Sequence, residues 1–348
     1  MNHAQPPSPP GLAGDVDEFL SHPSPALVAA VTRWKGPFLV LGAGGKMGLH
    51  LAAMLQRALR AARRQERVIA VSRFATLRDR AEFETQGMET LACDLSVPEA
   101  VAALPDAATV FFLAGAKFGT SADPALLRRM NVDMPRLVAE RYRQARIVAF
   151  STGCVYPFVS PASGGATEAT PVDPLPGEYA ASCLERERAF AEAAQRYRTE
   201  VALIRLNYSV EFRYGVLVDI ASRVWRGEPV DVTTGYVNVI WQSDAIDLSL
   251  RALELAGAPA VPVNVTGPEI LRVRDLAEQF GRLFDKPVTL VGEEAGTAWL
   301  SDASWVHGRL GAPSTSVATM QRWIAVWLQR GGETWGKPTA FERRDGKF

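Results

Sequence analysis

Short runs of consecutive hydrophobic residues recur between residues 38 and 206, and longer stretches of helical character separate them. Continuous runs of this kind are typical of parallel strands that are buried on both faces. The pattern predicts an α/β fold, with a doubly wound parallel sheet and a small C-terminal lobe. The predicted strands are 38–41, 67–72, 89–94, 109–113, 146–150 and 201–206, and the predicted helices are 48–65, 122–144 and 179–197.

Changes in composition divide the chain into three expected parts. The start is rich in Pro, and the alternation of strands and helices ends after Asn207, where Pro, Gly and Trp become frequent. The expected parts are a Pro-rich tail with an N-terminal helical extension (1–35), a sheet domain (36–210, with a return segment at about 236–265), and a substrate lobe with a C-terminal tail (211–235 and 266–348).

A stripe of hydrophobic residues at helical spacing lies near the end of the chain. This spacing places the side chains on one face of a helix, and core packing is the favoured interpretation of such a face. The stripe consists of Val317, Met320, Trp323, Ile324, Trp327 and Leu328.

Composition and charge exclude several classes of partner. The chain of 348 residues is 47% hydrophobic and 22% charged, an ordinary balance for a globular protein. Lys and Arg together number 38, as do Asp and Glu, so no net field favours nucleic acid or an anionic membrane. No hydrophobic run approaches the ~20 residues of a membrane span, and no signal-peptide pattern opens the chain. We therefore expect a cytoplasmic protein without a nucleic-acid or membrane partner.

The cysteines and histidines form no recognisable site. Cys93, Cys154 and Cys183 are far apart, without a Cys-x-x-Cys pair, and the four histidines are scattered. These spacings fit neither a metal site nor a disulfide framework. We expect an intracellular protein that holds no metal.

A glycine-rich turn follows the first predicted strand. Gly42 would allow the tight turn, Gly45 would let the backbone approach a phosphate, and Gly48 would allow close packing of helix and strand. Strand, glycine turn and helix together present backbone N–H groups to a pyrophosphate. Lys46 and Met47 complete the turn, and Met47 stands where a triphosphate-binding loop requires Ser or Thr. The alternative is an ordinary strand–helix connection.

The end of the second predicted strand bears on the choice of cofactor. It carries Ser72 and Arg73 in place of the acid that usually grips an adenosine ribose diol. A hydroxyl followed by a guanidinium suits a 2′-phosphate, and Lys46 could add charge to the same place. This pattern favours NADP over NAD, although two exposed basic residues would look the same.

Later strands also end in residues suited to a ligand site. Open α/β sheets bind ligands at the carboxyl ends of their strands, where a carboxylate could accept a hydrogen bond from an adenine amino group. Those residues are Asp94 and Leu95 after the third strand, Leu113, Ala114, Gly115 and Lys117 after the fourth, and Ser151 to Pro157 after the fifth, with Tyr179 opening a later helix.

Taken together, these motifs resemble the NAD-dependent epimerase/dehydratase family of extended short-chain dehydrogenases/reductases. That family includes UDP-galactose 4-epimerase and dTDP-glucose 4,6-dehydratase, and the resemblance runs from about residue 38 to about residue 330. Many motifs in one order are more specific than any one of them. They are the Gly42/Gly45/Gly48 turn, Asp94-Leu95, Leu113 to Lys117, Asn131-Val132, Ser151-Thr152, Val155-Tyr156, Tyr179, Arg205-Leu-Asn207, Val239 to Asp244, Asn264-Val-Thr-Gly267 and Leu310-Gly311.

The resemblance implies roles for residues beyond the glycine turn. Asp94 and Leu95 would hold the adenine, Lys117 and Asn131 would line the cofactor, and Asn207 would lie near the nicotinamide. The implied fold is a Rossmann-type NAD(P)-binding domain with a small substrate lobe.

The resemblance also implies an oxidoreductase or epimerase mechanism. Thr152 would hydrogen-bond the substrate oxygen, and Tyr179 would exchange a proton as acid/base. A tyrosine has an ordinary pKa near 10, so it needs a nearby cation at neutral pH. The family supplies a lysine one helical turn after the tyrosine, and here that position is Cys183.

Three interpretations of this departure remain open. Lys117, Lys46 or Arg213 supplies the charge, and the protein is a working enzyme. Alternatively, Cys183 or another group takes part in a different chemistry. Finally, the site is catalytically silent, and the protein binds or senses a cofactor. A thiol cannot lower the tyrosine pKa as an ammonium does.

The substrate and the assembly follow only from the resemblance. A sugar, sugar acid or nucleotide sugar is expected, with Arg213 and Tyr214 in the region that contacts substrate. Members commonly pair through two helices each, here 122–144 and 179–197, and core burial explains the same hydrophobic positions equally well.

Overall fold

A parallel sheet lies at the centre of the computed structural model, which describes residues 13–75, 78–116, 123–173, 175 and 177–344. Its seven strands have the order β11-β6-β5-β4-β1-β2-β3, and short two-stranded ladders join the remaining strands. Along the chain the strands are β1 (Phe38–Leu41), β2 (Val68–Ser72), β3 (Glu89–Ala92), β4 (Thr109–Phe112), β5 (Arg146–Thr152), β6 (Val201–Leu206), β7 (Ser209–Val210), β8 (Val230–Asp231), β9 (Tyr236–Val237), β10 (Ile240–Trp241), β11 (Val261–Val265), β12 (Leu271–Arg272) and β13 (Leu290–Val291).

Helices cover both faces of the sheet. The α-helices are α1 (Ala13–Leu20), α2 (Pro25–Val31), α3 (Gly48–Ala61), α4 (Ala81–Glu84), α5 (Pro98–Ala102), α6 (Pro124–Arg128), α7 (Met134–Arg141), α8 (Glu178–Tyr197), α9 (Val216–Arg226), α10 (Gln242–Arg251), α11 (Val273–Phe284), α12 (Ser304–Leu310) and α13 (Val317–Gln329). A π-helical turn (Arg129–Asp133) joins α6 to α7, and 3₁₀ turns follow β5, Ser160 and α10.

The predicted doubly wound sheet is confirmed. All six predicted strands are present with small differences in their ends, and each is parallel to its neighbours. The sequence analysis assigns no strand at β11, which pairs with β6 and forms one edge. The predicted helix at 122–144 is divided by the π-helical turn, and residue 122 lies outside the described residues, as do residues 1–12 of the expected Pro-rich tail.

Burial on both faces explains the continuous hydrophobic runs. In β1, Phe38 and Val40 pack with α2, α3 and α10 on one face, whereas Leu39 and Leu41 pack with α7 and α8 on the other. Because successive side chains of a strand point to opposite faces, a strand between two helical layers must be hydrophobic at every position.

The second core belongs to the lobe formed by α9, α11 and α13. Phe212 makes ring contacts with Trp241, Trp323 and Trp327 at centroid distances of 4.9, 6.1 and 5.4 Å. The predicted hydrophobic stripe of α13 therefore packs into a core, as expected. Helix α1 adds Val16 and Leu20 to the same cluster, so part of the N-terminal extension belongs to the lobe core.

A charged network anchors α1 to the sheet domain and to the lobe. The Asp17 carboxylate lies 2.7 Å from Nε2 of the fully buried His50, and it accepts hydrogen bonds of 2.9 and 3.0 Å from Arg78. It also accepts a hydrogen bond of 2.9 Å from Arg213, and Glu211 pairs with the Arg213 guanidinium from the other side. One carboxylate thus joins the glycine-turn helix α3 to the lobe.

Electrostatics favour the charged form of Asp17 and the neutral form of His50. Burial opposes ionisation of Asp17, but hydrogen bonds from His50 and Arg78 outweigh it and hold the pKa of that carboxyl well below its usual range. Burial lowers the pKa of His50 despite the neighbouring Asp17. The imidazole is therefore neutral at pH 7, with Nδ1 lying 2.7 Å from the Gln242 amide.

Neither a spanning helix nor a metal cluster occurs in the part of the chain that the structure describes. None of its helices combines the length and hydrophobicity that crossing a membrane requires. Within the same residues, no three His, Cys, Asp or Glu side chains converge as metal ligands.

We predict that Asp17→Asn lowers the free energy of unfolding at pH 7 by about 2–4 kcal/mol, because Arg78 and Arg213 lose a buried anionic acceptor. Denaturant unfolding of the variant and the wild type measures the difference. Glu228→Gln, which breaks an exposed pair with Arg226, is the control and should leave the midpoint unchanged.

The Asp17 effect should also depend on pH. Since the folded-state pKa of Asp17 is depressed, its contribution is present above the unfolded pKa of about 3.9 and is lost as the pH falls below it. The stability difference between Asp17→Asn and wild type should therefore shrink between pH 5 and pH 2. A difference that is equal at both ends of this range would contradict the assignment.

Candidate active site

A groove of about 530 Å³ opens at the carboxyl ends of β1 to β4. Its volume is within the usual range for a ligand pocket. The groove contains most of the residues that the sequence analysis selects for a cofactor. The lining includes Gly42, Gly44, Gly45, Lys46, Ser72, Arg73, Asp94, Leu95, Leu113, Ala114 and Gly115, together with Glu333, Thr334, Trp335 and Lys337 from the C-terminal end.

The glycine turn is held by close backbone contacts. Gly42 has φ +84°, and a Cβ on it would lie 2.5 Å from the Ala114 amide nitrogen. A Cβ on Gly48 would lie 2.1 Å from the Ala43 carbonyl oxygen. At Gly45 the nearest atom would be the Gly42 carbonyl oxygen at 3.3 Å, a tight contact that is still far looser than those at Gly42 and Gly48. Gly42 and Gly48 are therefore required by packing, whereas packing restricts Gly45 less where the turn borders the groove.

The same turn leads directly into the N-terminus of α3. The helix begins at Gly48, and Met47 occupies the N-cap position without a capping hydrogen bond from its side chain. A helix N-terminus without a side-chain cap has amide groups that an anionic ligand can satisfy.

The end of β2 brings a hydroxyl and a guanidinium to the groove. A Cβ on Gly44 would lie 2.6 Å from the Ser72 hydroxyl, so this side chain touches the glycine turn. The Arg73 side chain is 62% exposed, and its Nη1 lies 4.0 Å from a carboxylate oxygen of Asp94. The Arg73 guanidinium is therefore accessible to a phosphate, but the Asp94 carboxylate lies beside it.

Asp94 has one oxygen committed to its own turn. Its Oδ1 accepts hydrogen bonds from the Ser96 amide at 2.9 Å and the Ser96 hydroxyl at 2.7 Å. These bonds lower the pKa of Asp94, so the group is anionic at neutral pH. Oδ2 faces Arg73, and Leu95 beside it is buried against the sheet.

A C-terminal segment crosses the groove beside the glycine turn. We call residues 332–344 the strap. The strap residue Trp335 donates its amide to the Arg213 carbonyl at 3.0 Å and stacks on Tyr214 with a centroid distance of 5.8 Å. Lys46 Nζ lies 2.9 Å from the Tyr214 ring centroid and 5.4 Å from that of Trp335. The strap residues themselves have no role predicted from sequence, and only the frequency of Trp after residue 207 hints at Trp335.

The two predicted substrate residues lie at this contact. Arg213 is buried between Asp17 and Glu211, with its guanidinium 5.2 Å from the Trp335 ring. Burial, followed by the charge of Asp219, raises the pKa of Tyr214 to about 12. In this structure both side chains hold the strap against the lobe, and their contact with a substrate stays a prediction.

The predicted acid/base pair lies where α8 packs along β5. Tyr179 occupies the first turn of α8, and its hydroxyl is hydrogen-bonded to the Cys183 thiol one turn further on. Burial first, and then Cys183, raise the pKa of Tyr179 well above its ordinary value, whereas Arg186 acts in the opposite direction. Thr152 is the last residue of β5, and its hydroxyl accepts a hydrogen bond of 3.2 Å from the Cys154 amide.

The thiols beside Tyr179 are neutral at physiological pH. Burial raises the pKa of Cys183, which is fully buried, and it raises the pKa of Cys154 to about 12. A protonated buried thiol is a poor nucleophile. The structure thus lends no support to Cys183 as a nucleophile.

Asn131 lies in the π-helical turn between α6 and α7. Its Oδ1 accepts a hydrogen bond of 2.8 Å from the Ala116 amide, and its Nδ2 donates one of 2.9 Å to Ser182. Asn131 therefore fixes the segment after β4 that lines the groove. Lys117 follows that segment and lies outside the described residues.

Asn207 is buried after β6 rather than exposed in the groove. Its amide donates to the Asn238 side chain at 3.1 Å and to the Trp299 carbonyl at 3.2 Å. A Cβ on Gly153 would lie 3.1 Å from the Asn207 Cβ, so Asn207 packs on the turn that follows Thr152. It borders the acid/base end of the site.

Two buried arginines lie at this end, and neither has a site role predicted from sequence, although Arg205 belongs to a motif of the resemblance. Arg205 pairs with Glu187 and donates to the Tyr156 hydroxyl at 2.8 Å. Arg186 donates to the Phe150 carbonyl at 3.1 Å and to Asn131. Charged residues on the buried face of a helix look like surface residues when the partner elements are unknown.

The residues present fit a dinucleotide. The glycine turn is least crowded at Gly45, and the end of β2 offers an accessible guanidinium. The groove reaches Ala114 and Gly115, and Gly115 lies against Arg186 of α8. A larger cavity of about 1360 Å³ lies at the opposite edge of the sheet, lined mainly by α7 and α8. Ligands of open α/β sheets bind at the carboxyl edge, which favours the smaller groove.

Comparison with known proteins identifies similar families and folds. Residues 38–264 match the family described as the NAD dependent epimerase/dehydratase family. No curated protein sequence matches the chain significantly.

Solved structures with the same fold share little sequence with this chain. UDP-glucose 4-epimerase from Thermus thermophilus, in complex with NAD, is 20% identical with a TM-score of 0.68, over 84% of this chain and 98% of that chain. A dTDP-glucose 4,6-dehydratase double mutant from Streptomyces venezuelae, with NAD bound, is 18% identical with a TM-score of 0.71, over 84% and 97%. A UDP-glucuronic acid 4-epimerase mutant from Bacillus cereus, in complex with NAD, is 17% identical with a TM-score of 0.69, over 84% and 99%.

We predict that Gly48→Ala and Gly45→Ala differ sharply in stability. The Gly48 variant forces a methyl group against the Ala43 backbone and should lose about 2–3 kcal/mol of unfolding free energy. The Gly45 variant meets one backbone oxygen at 3.3 Å, which must shift slightly, and should lose less than about 1 kcal/mol. Denaturant unfolding measures both, and equal losses would contradict the described packing of the turn.

We also predict that Trp335→Ala loosens the strap. The variant loses stacking on Tyr214 and the contact with Lys46, so trypsin should cleave after Arg343 or Arg344 several times faster than in wild type. Trp305→Ala, on α12 outside the groove lining, is the matched aromatic control and should leave these cleavage rates unchanged. Equal cleavage of both variants would mean that Trp335 does not hold the strap.

Proposed function

The chain belongs to the NAD-dependent epimerase/dehydratase family, and from this premise we propose that it is an NAD(P)-dependent oxidoreductase or epimerase. Its proposed substrate is a sugar, sugar acid or nucleotide sugar. Tyr179 is the proposed acid/base, and Thr152 is its partner at the substrate oxygen.

The groove beside the glycine turn is the observation that supports this proposal most. It combines a glycine turn that is least crowded at Gly45, an uncapped helix start at Gly48 and small residues over the end of β4. These features suit the pyrophosphate and the flat ring of a dinucleotide, and the proposed nicotinamide end lies toward Tyr179. A bound nicotinamide would supply the group that accepts or returns a hydride.

The chain's own residues would move the proton. Because its pKa is raised, the Tyr179 phenol is protonated at neutral pH and can donate its proton to a carbonyl oxygen of the substrate. In the reverse direction the Tyr179 phenolate would take the proton of the substrate hydroxyl. Thr152 would hold that oxygen from the end of β5.

NADP is the proposed cofactor in preference to NAD. Ser72 and the exposed Arg73 stand at the end of β2, where a 2′-phosphate would meet them. The negative charge of Asp94 beside Arg73 opposes a second phosphate there, so the proposed preference is small.

A catalytically silent cofactor-binding protein is the second candidate. Cys183 replaces the expected lysine, and the thiol accepts a hydrogen bond from Tyr179 without supplying charge. A silent protein would bind NAD(P) in the same groove and would turn over no substrate.

Further parts of the proposal come from sequence alone. The resemblance implies the substrate contacts of Arg213 and Tyr214, a role for Lys117 in the cofactor site, and a homodimer through α6–α7 and α8. The proposed cytoplasmic location comes from the composition and hydrophobic pattern of the chain. In the dimer helices, Leu127, Met134 and Val138 are buried within the chain itself, so a partner would contact the remaining, partly exposed positions.

Calorimetric titration with NAD, NADP and their reduced forms tests the cofactor. We expect submillimolar binding of at least one form, and its loss in Gly45→Asp, because a carboxylate in that space repels a pyrophosphate. Arg73→Asp should weaken NADP about 10- to 100-fold and leave NAD within about threefold, as expected for one charged hydrogen bond. No binding of any form by the wild type would refute the proposal.

Turnover of a nucleotide-sugar panel then separates the two candidates. In a working enzyme, Tyr179→Phe should reduce kcat at least about 100-fold without changing cofactor affinity, as expected when a general acid/base is removed. Bound cofactor that no substrate reduces or oxidises, with Tyr179→Phe identical to wild type, favours the silent protein.

A further inference from the structure

Arg186 differs from the other deeply buried arginines of the described chain. Arg205 is paired with Glu187, Arg213 with Glu211 and Asp17, and Arg251 with Asp247. Arg186 is only 7% exposed and forms no ion pair with a described carboxylate. A buried charge without an opposite charge is costly, and such charges are rare outside functional sites.

The contacts of Arg186 leave its charge uncompensated at the end of the groove. Nη1 donates to the Phe150 carbonyl at 3.1 Å and Nη2 donates to the Asn131 side-chain oxygen, both of which are neutral. Its Nε is buried and has no hydrogen-bond partner within the described residues. A Cβ on Gly115 would lie 2.1 Å from Nη2, so the guanidinium packs directly beneath the groove lining.

The guanidinium also lies on the face of α8 that carries Tyr179. Arg186 is seven residues after Tyr179 and three after Cys183, positions that share one face of a helix. The titratable groups that act most strongly on the phenol are Cys183 on the same helix, Cys154 on the turn after β5, and Arg186. Of these three, only Arg186 is a cation. Both thiols resist phenolate formation, whereas Arg186 favours it.

From this juxtaposition we propose that Arg186 supplies the positive charge that the family's lysine would supply from position 183. It acts through Tyr179, as a positioning residue that stabilises the phenolate from beneath the groove. The inference rests on the proposed acid/base role of Tyr179. The positive charge then comes from one helical turn beyond position 183, so position 183 itself needs no cation.

The cations expected from sequence are less suited to this task. Lys46 lies against the Tyr214 and Trp335 rings beside the glycine turn, at the other end of the groove. Arg213 is neutralised by Glu211 and Asp17. Lys117 lies outside the described residues, so the experiment below compares a Lys117 variant with the Arg186 variants.

The test follows the ionisation of residue 179 without substrate or cofactor. A fluorinated tyrosine incorporated at position 179 is more acidic than tyrosine, and its ¹⁹F shift reports the titration midpoint in the full chain. In Arg186→Gln the midpoint should rise by about one pH unit or more, as expected when a neighbouring charge of opposite sign is removed. Arg186→Lys should restore at least half of that rise. Arg188→Gln, an exposed arginine on the same helix that pairs with Glu185, is the control and should match wild type.

Asn131→Asp provides a second test in case Arg186→Gln does not fold. Asn131→Asp places a carboxylate against Nη2 and neutralises the guanidinium while retaining it, so the midpoint should again rise. Circular dichroism and thermal unfolding establish that each variant is folded. Where turnover is detected, the pH profile of kcat should shift in the same direction.

Several outcomes overturn the proposal. An unchanged midpoint in a folded Arg186→Gln or Asn131→Asp variant does so, and so does an equal rise in Arg186→Gln and Arg186→Lys, which indicates a packing role. A rise in Lys117→Met or Lys46→Met as large as that in Arg186→Gln assigns the charge elsewhere. Absence of NAD(P) binding or turnover in the wild type refutes the proposed function instead, and leaves the titration result interpretable.

Discussion

The close backbone contact between the glycine turn and the end of β4 is the constraint on which the groove depends. Gly42 touches Ala114 and Gly48 touches Ala43 at distances that no side chain allows. These contacts fix where β1 ends, where α3 begins and how the segment after β4 runs. The hydroxyl of Ser72, the Arg73 guanidinium and the Asp94 carboxylate then arrive at the same edge because their strands are parallel to β1.

The same edge is reinforced by segments from both ends of the chain. Asp17 of α1 reaches His50 on α3 and Arg213 beside the lobe, and the strap reaches back to Lys46 through Tyr214 and Trp335. The extension before β1 and the segment after α13 are therefore parts of the framework around the groove. The Asp17 carboxylate pairs with both Arg78 and Arg213 in a partly buried place. Its loss would leave two buried guanidinium groups without this partner, which costs stability.

Charge is distributed differently at the two ends of the groove. Near the glycine turn and β2, the cations Lys46 and Arg73 are met by aromatic rings or by the carboxylate of Asp94. At the acid/base end, the buried Arg186 acts electrostatically on the phenol of Tyr179 and on the neutral thiol of Cys183. The cysteine at position 183 is thus accompanied by a buried arginine, Arg186, one turn further along α8. Through this arginine, the packing of the helix would affect the protonation of the proposed catalytic group.

The sequence by itself determined the parallel sheet, the glycine turn and most of the groove lining, because hydrophobic runs, glycines and strand-end residues are local signals. Only the tertiary structure decided what lies around them. The strap, the Asp17 network and Arg186 depend on contacts between residues that are far apart in sequence. Asp17 and Arg213 are 196 positions apart, and Lys46 and Trp335 are further apart still. No local pattern separates a buried arginine on α8 from an exposed one, since Arg186 and Arg188 stand two residues apart on the same polar-looking helix. Burial of one and exposure of the other follow from which face of α8 packs on β5.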